Sequence, residues 1–233
     1  MGKMKFMTIA MAALMLIVSC GSATKNGALI GGGGGAAVGA LVGGLLGKST
    51  KSTLIGTAIG GAVGTGAGLL IGKKMDKAKA AAQQVSNAQV ETVTDANGLE
   101  AVKVSFDNGI LFQTGKYALQ SAAQTSLKQF AQKVLNVYTD CDVAIYGYAS
   151  SDGSDATNLT LSNNRANSVS KYLTGTCAVS TSQIKNVKGY GEDPNYLVYN
   201  ADGTENREAS RRVEVYLYAS QSMIDAANNG TLK

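Results

Sequence analysis

Glycine recurs at every fourth residue in two stretches of this chain, at 31, 35, 39, 43 and 47 and again at 56, 60, 64, 68 and 72, so that the two series are offset by twenty-five. The flanking residues repeat as well. Leu29-Ile30-Gly31, Ala37-Val38-Gly39 and Gly47-Lys48 return as Leu54-Ile55-Gly56, Ala62-Val63-Gly64 and Gly72-Lys73. A step of four sets each series along one ridge of a helix, leaving Leu, Ile, Val and Ala on the other faces, and the ridge is a groove for a partner helix. In water each glycine costs a helix about 1 kcal/mol relative to alanine. In lipid the backbone must satisfy its own hydrogen bonds, and close small-xxx-small packing supplies association energy. As a helix, either segment would run about 28 Å, near the roughly 30 Å apolar thickness of a bilayer. Lys48 to Thr53 would form a polar turn. Two arrangements stay open: a hairpin that crosses the membrane and returns, and a helical pair that lies in the interface or packs on other copies of the chain.

Ahead of the repeat, Lys3 and Lys5 precede an apolar run from Phe6 to Val18 that ends in Ile17-Val18-Ser19-Cys20. Charge, then an apolar stretch, then small residues is the layout of a secretory signal. The ending resembles the bacterial lipobox, which implies that Cys20 is lipidated and becomes the new N-terminus. Several acyl chains, at about 0.8 kcal/mol per buried CH₂, hold a protein on a bilayer almost permanently. Gly21 follows, with no Asp to suggest retention at the inner membrane, so the expected location is the outer membrane.

Charge is divided unevenly. Residues 1–80 hold nine Lys and one acid, Asp76, whereas residues 100–219 hold eleven basic and twelve acidic side chains. The second half is therefore near neutral, and with export this excludes nucleic acid as a partner. Lys73, Lys74, Lys77 and Lys79 suit anionic headgroups, at about 1 kcal/mol each, or are simply a solvated charge run. No histidine is present, so neither a Cys-His nucleophile nor a Cys/His metal site can be assembled. Cys141 and Cys177 remain in a compartment that permits disulfides. A strand leading one way and a helix returning would bring them to one end of the domain, either as a structural disulfide or as two buried thiols.

The second half alternates strand and helix patterns. Ala101–Phe106 reads as a strand. Between Tyr117 and Tyr138, Leu119, Ala123, Leu127, Phe130, Val134 and Val137 recur at helical steps. A strand over Val143–Tyr148, a helix over about Asn158–Leu173, and strands near Ile184–Lys188 and Arg212–Tyr218 follow. The alternation predicts an α/β sandwich, two helices on a mixed four-stranded sheet.

The residues Ile145 to Ala166, IYGYASSDGSDATNLTLSNNRA, carry Gly147, Asn158, Leu161-Ser162 and Arg165-Ala166 at set offsets. Leu111-Phe112 stands before them, and Gly189-Tyr190-Gly191 and Arg211-Arg212-Val213 after. Together these closely resemble the OmpA-like C-terminal domain, over roughly residues 102–217, and the glycine repeat resembles the zipper segments beside such domains in some bacterial lipoproteins. The organisation this implies is a lipoprotein signal over 1–19, a lipidated linker over 20–26, a glycine-zipper helical hairpin over 27–73, a polar helical connector over 74–98, the OmpA-like domain over 99–220 and a tail over 221–233.

The resemblance implies a non-enzymatic domain that grips the diaminopimelate of the peptidoglycan stem peptide. By it, Arg165 matches the arginine that pairs with the ligand carboxylate, a task suited to a planar two-pronged donor. Asn158 and Gly115 match positions that line and border the pocket. The family aspartate that receives the ammonium falls at Ser150, which brings no charge. Asp152 either takes its place or is an ordinary turn residue in Ser151-Asp152-Gly153. No cofactor or metal is implied. The expected partners are peptidoglycan and outer-membrane lipid, with the folded half in the periplasm. A second reading is a glycine-zipper assembly or pore, a homo-oligomer built through the ridges and merely localised by the wall-binding half.

Overall fold

Asn97-Gly98 closes a tight hairpin, with Gly98 at φ +73° and the buried Asp95 carboxylate accepting the Asn97 and Leu99 amides at 2.8 and 2.9 Å. An Asn-Gly pair between two β-prone runs is a strong hairpin signal, and it pairs strand β1 (Ala88–Thr94) with strand β2 (Glu100–Asp107). The computed structural model describes residues 63–232. Three more strands, β3 (Cys141–Tyr148), β4 (Ile184–Gly189) and β5 (Arg212–Ala219), give a mixed sheet of order β1-β2-β5-β3-β4 in which only β3 and β4 run parallel. The sheet therefore has five strands where the sequence predicts four, the addition being β1. That segment lies in the expected helical connector, but Val90, Thr92, Val93 and Thr94 favour a pleated edge.

Helix α1 (Thr65–Ala82) comes first, followed by the short α2 (Asn108–Leu111), α3 (Ser121–Phe130) with a π-helical turn over Ala131–Leu135, α4 (Asp155–Gly175), the short α5 (Arg207–Ser210) and α6 (Gln221–Asn228). Val102, Val104, Phe106, Val143, Ile145, Val213, Val215 and Leu217 bury one sheet face beneath α1, α3, α4 and α6. The sandwich thus carries four helices of eight residues or more, not two. Residues 221–233, expected as a tail, supply Met223, Ile224 and Ala227 to this core behind a Ser220 cap.

The boundary expected at residue 73 falls inside α1. Its buried stripe runs Ala67, Gly68, Ile71, Gly72, Met75 and Ala78, and the Gly64 amide donates to Asn228 Oδ1 at 3.1 Å. The end of the second glycine series is thus a packing ridge, as its spacing predicts, and the surface it meets belongs to the chain's own domain. Among the described residues no helix is long and apolar enough to cross a membrane. The first glycine segment, the polar turn and Cys20 lie outside the described residues.

The opposite sheet face is lined by tyrosines. Tyr146, Tyr148, Tyr216 and Tyr218 stand on β3 and β5, and Tyr196 closes over them with Tyr190 beside it. Tyr148 and Tyr190 stack at 5.6 Å, and Arg212 lies 4.1 Å over the Tyr148 ring. Beneath the rings Glu214 accepts from Arg212 Nε at 2.8 Å and from the Tyr216 hydroxyl at 2.5 Å, with Lys103 Nζ at 3.9 Å. Burial alone would push the Glu214 carboxyl up. Arg212, the Tyr216 hydroxyl and Lys103 outweigh it and hold the group below the usual glutamate range.

Glycines set how closely α4 approaches the sheet. A Cβ at Gly147 would overlap the Ser162 carbonyl oxygen, and one at Gly189 would overlap the Asn163 amide nitrogen and Ser162 Oγ. In their absence Asn163 Oδ1 accepts the Gly189 amide at 2.7 Å, and Ser162 Oγ accepts the Gly191 amide at 2.9 Å.

Two outcomes follow for stability. Gly189→Ala should lower the unfolding free energy by about 2 kcal/mol or more through overpacking against backbone, whereas Gly175→Ala, with open space around its Cβ, should be neutral or stabilising; urea midpoints compare them. Glu214→Gln leaves Arg212 unpaired and should cost about 3 kcal/mol at neutral pH. Because the folded carboxyl is depressed, its contribution is present above the ordinary glutamate value of 4.5 and is lost as pH falls through the lower folded value. The gap between wild type and variant should therefore close in acid, as read from thermal midpoints across pH.

Candidate functional site

The inward face of α4 presents Asn158, Ser162, Arg165 and Ala166, all buried. Positions i, i+4, i+7 and i+8 share one side of a helix, so the motif's spacing is the spacing of a face turned to the sheet. Ser154 caps the helix, its hydroxyl accepting the Thr157 amide.

Arg165 is 2% exposed. Its Nε donates to the Lys116 carbonyl at 3.0 Å, and its guanidinium carbon stands 5.3 Å from the centre of the Phe112 ring. Gly115, at φ +67°, shapes the turn that turns this carbonyl inward, and the Lys116 amide closes it onto the Gln113 carbonyl at 3.0 Å. Nη1 has no hydrogen-bond partner. Burial, with Arg211 adding repulsion, lowers the guanidinium to about 10. It stays charged at neutral pH, and a buried charged donor left unmatched costs free energy that a ligand can recover.

Ser150 follows β3 and is 3% exposed. Its hydroxyl donates to Asp152 Oδ2 at 3.1 Å and accepts from Arg211 Nη1 at 3.4 Å. Asp152 is also paired with Arg211 Nη1 at 3.2 Å and Arg207 Nε at 3.2 Å. Asn158 Nδ2 donates to the Ser150 and Asp152 carbonyls at 3.1 and 2.9 Å and to Glu192 Oε2. The carboxyl of Glu192 is pushed up, mainly by its hydrogen bond with Asp155.

The structure thus links Ser150, Asp152, Asn158 and Arg211 in one network, with Arg165 close enough to Arg211 to feel its charge. Gly115 reaches the site through the Lys116 carbonyl. Asp152 is tied to two arginines, so it is no free acceptor. Sequence reasoning missed the roles of Phe112, Lys116, Arg207 and Glu192. Phe112 lies inside the Leu111-Phe112 motif, and Arg207 has only its charge as a signal.

The expected disulfide is not formed. Cys141 and Cys177 are both free and buried. Cys141 is packed into the core at the start of β3, whereas Cys177 is buried just past α4. The elements do run to one end of the domain, but each sulfur already has its own surroundings.

Residues 111–211 match the family model described as OmpA family, and residues 1–76 match the YMGG-like Gly-zipper model. Residues 111–211 thus carry an OmpA-family domain, and a stretch matching a glycine-zipper model precedes it. Among solved structures it is similar to a MotB-like protein from Desulfovibrio vulgaris, at TM-score 0.51 and 20% identity over 65% of this chain and 94% of that one. It is also similar to the periplasmic domain of Helicobacter pylori MotB (0.49, 16%, over 63% and 88%) and to the cell wall anchor of the T6SS from Pseudomonas aeruginosa (0.48, 20%, over 63% and 97%). At such identities the likeness is one of fold. No curated protein matches.

Burial holds the Cys141 thiol far above its ordinary range and raises that of Cys177, and the thiolate is the reactive form. Iodoacetamide should therefore leave both unmodified in the native protein and label both after unfolding, without prior reduction, as peptide mass mapping will show.

Proposed function

We propose that this protein is a non-enzymatic lipoprotein of the outer membrane that holds peptidoglycan through the site around Arg165 and so ties membrane to wall. The observation that carries the reading is the buried Arg165 guanidinium with an unpartnered Nη1. Its Nε is anchored on Lys116 and its face rests on Phe112, which fixes the direction of the free edge. A carboxylate supplied by a stem peptide would meet that edge and discharge the desolvation cost. Arg165 would then bind, Asn158 would hold the Ser150–Asp152 turn in place, and Gly115 would set the Lys116 carbonyl. Diaminopimelate-type stems are the ligand that the family resemblance supports.

The membrane half of the proposal rests on sequence. Ser19-Cys20 follows the apolar run, and acylation of Cys20 would fix the chain's start in lipid while the OmpA-like domain faces the periplasm. The end of the glycine series packs on the domain itself, through Gly68 and Gly72 of α1.

Full-length protein in detergent should sediment with purified insoluble sacculi. Arg165→Lys, which keeps charge but loses the fork, should reduce retention about tenfold or more, from the loss of a charge-assisted bidentate contact. Far-UV circular dichroism checks that the variant is folded. Equal retention of a folded Arg165→Lys protein would remove Arg165 from the binding site, and no release of wall fragments is expected during incubation.

A further inference from the structure

The start of α1 and the end of α6 flank an open groove of about 470 Å³, walled mainly by apolar atoms of Gly64, Gly66, Leu69, Leu70, Ala227 and Gly230. Leu69 and Leu70 stay partly exposed there, and nothing lies within 4 Å of where a Cβ on Gly66 would stand. The other side of the same helix is already used, since Gly68, Ile71, Gly72 and Met75 are buried against the chain's own domain. Gly68 and Gly72 are therefore closed to a partner helix, and what α1 still offers is the groove.

We propose that this groove seats the chain's own first glycine segment, with Gly31–Gly35 laid against Leu69 and Leu70, so that the zipper closes on the domain and not across a bilayer or on another copy. The described residues begin at Val63, beside Gly64 of the groove wall, so the preceding chain leaves from the groove itself. Lys48 to Thr53 separate the two repeats, and folding back about the centre of that turn sets Gly31–Gly35 level with Gly66–Leu70 and Ala37 level with Gly64. Five successive glycines present a bare backbone that two leucine side chains can approach closely, and Ala36 to Val38 fill the space left at Gly64 and Gly66. Residues 26–47 carry no charged side chain, so an apolar groove strips no ion of water. A segment tethered by so short a turn also competes at high effective concentration against a second molecule. The docking is independent of wall binding. Joined to the acyl anchor proposed above, it fixes the domain's reach, because the eleven residues from Cys20 to Gly31 extend to at most about 40 Å.

The test is a thiol cross-link in full-length protein in mild detergent. Gly35→Cys and Gly66→Cys are introduced together and treated with a short bismaleimide, while the native Cys141 and Cys177 stay buried. Peptide mass mapping should find residues 35 and 66 joined within one chain, with a yield that does not change on dilution. Adding Leu69→Asp and Leu70→Asp, which put charge into the apolar contact, should lower that yield about tenfold or more, with far-UV circular dichroism retained. Leu69→Ser serves if the paired change fails to fold. A link between two chains whose yield grows with concentration gives the groove to a second copy and overturns the proposal. Absence of any link between the two positions overturns it too, as does a link that the folded Leu69 and Leu70 variants leave undiminished. Sedimentation with sacculi should be the same with the groove variants as without them, so the wall-binding reading stands or falls separately.

Discussion

The close approach of α4 to the ends of β3 and β4 is the contact on which the site depends. It exists because Gly147 and Gly189 have no side chains, so that Ser162 and Asn163 can lie against the strands and bond the amides of Gly189 and Gly191. Were the helix to stand off by the width of a methyl group, Asn158 would lose the carbonyls of Ser150 and Asp152. Arg165 would likewise lose its anchor on Lys116. Backbone proximity at two glycines is thereby converted into the placement of a charged group less than one helical turn away.

A buried arginine with an unpartnered donor is an expensive arrangement. The Phe112 ring and the Lys116 carbonyl offset part of that cost. On the other side of the sheet the problem is solved within the chain, since Arg212 is matched by Glu214 and covered by tyrosines. The two arginines thus differ: Arg212 is satisfied within the chain, whereas Arg165 keeps an Nη1 without a partner.

How much of this was legible in the sequence depended on whether the signal was local. The glycines, Ser162 and Arg165 could be read because fixed offsets along a helix become a single face. The mixed sheet followed from alternation of strand and helix patterns. Strand β1 was hidden behind an Ala- and Gln-rich stretch, although Asn97-Gly98 marks the hairpin turn that creates it. Helix α6 was short and terminal, and its apolar residues Met223, Ile224 and Ala227 make sense only with α1 beside them. The pairing of Asp152 with Arg207 and Arg211 spans more than fifty residues, and no spacing rule reports it. Compartment and topology made a disulfide reasonable, but whether two sulfurs meet depends on side-chain direction, which sequence does not carry.

Helix α1 lies against β1, β2, the π-helical turn and α6, and so connects elements from both ends of the described chain. Tension entering from residue 63 would be spread at once over an edge hairpin and the C-terminal helix, loading many contacts sideways in place of peeling one strand at a time. Such a joint behaves as a stiff mast stepped into a hull, and the distance between its two ends is set by helix rise, not by the coiling of a loose tether.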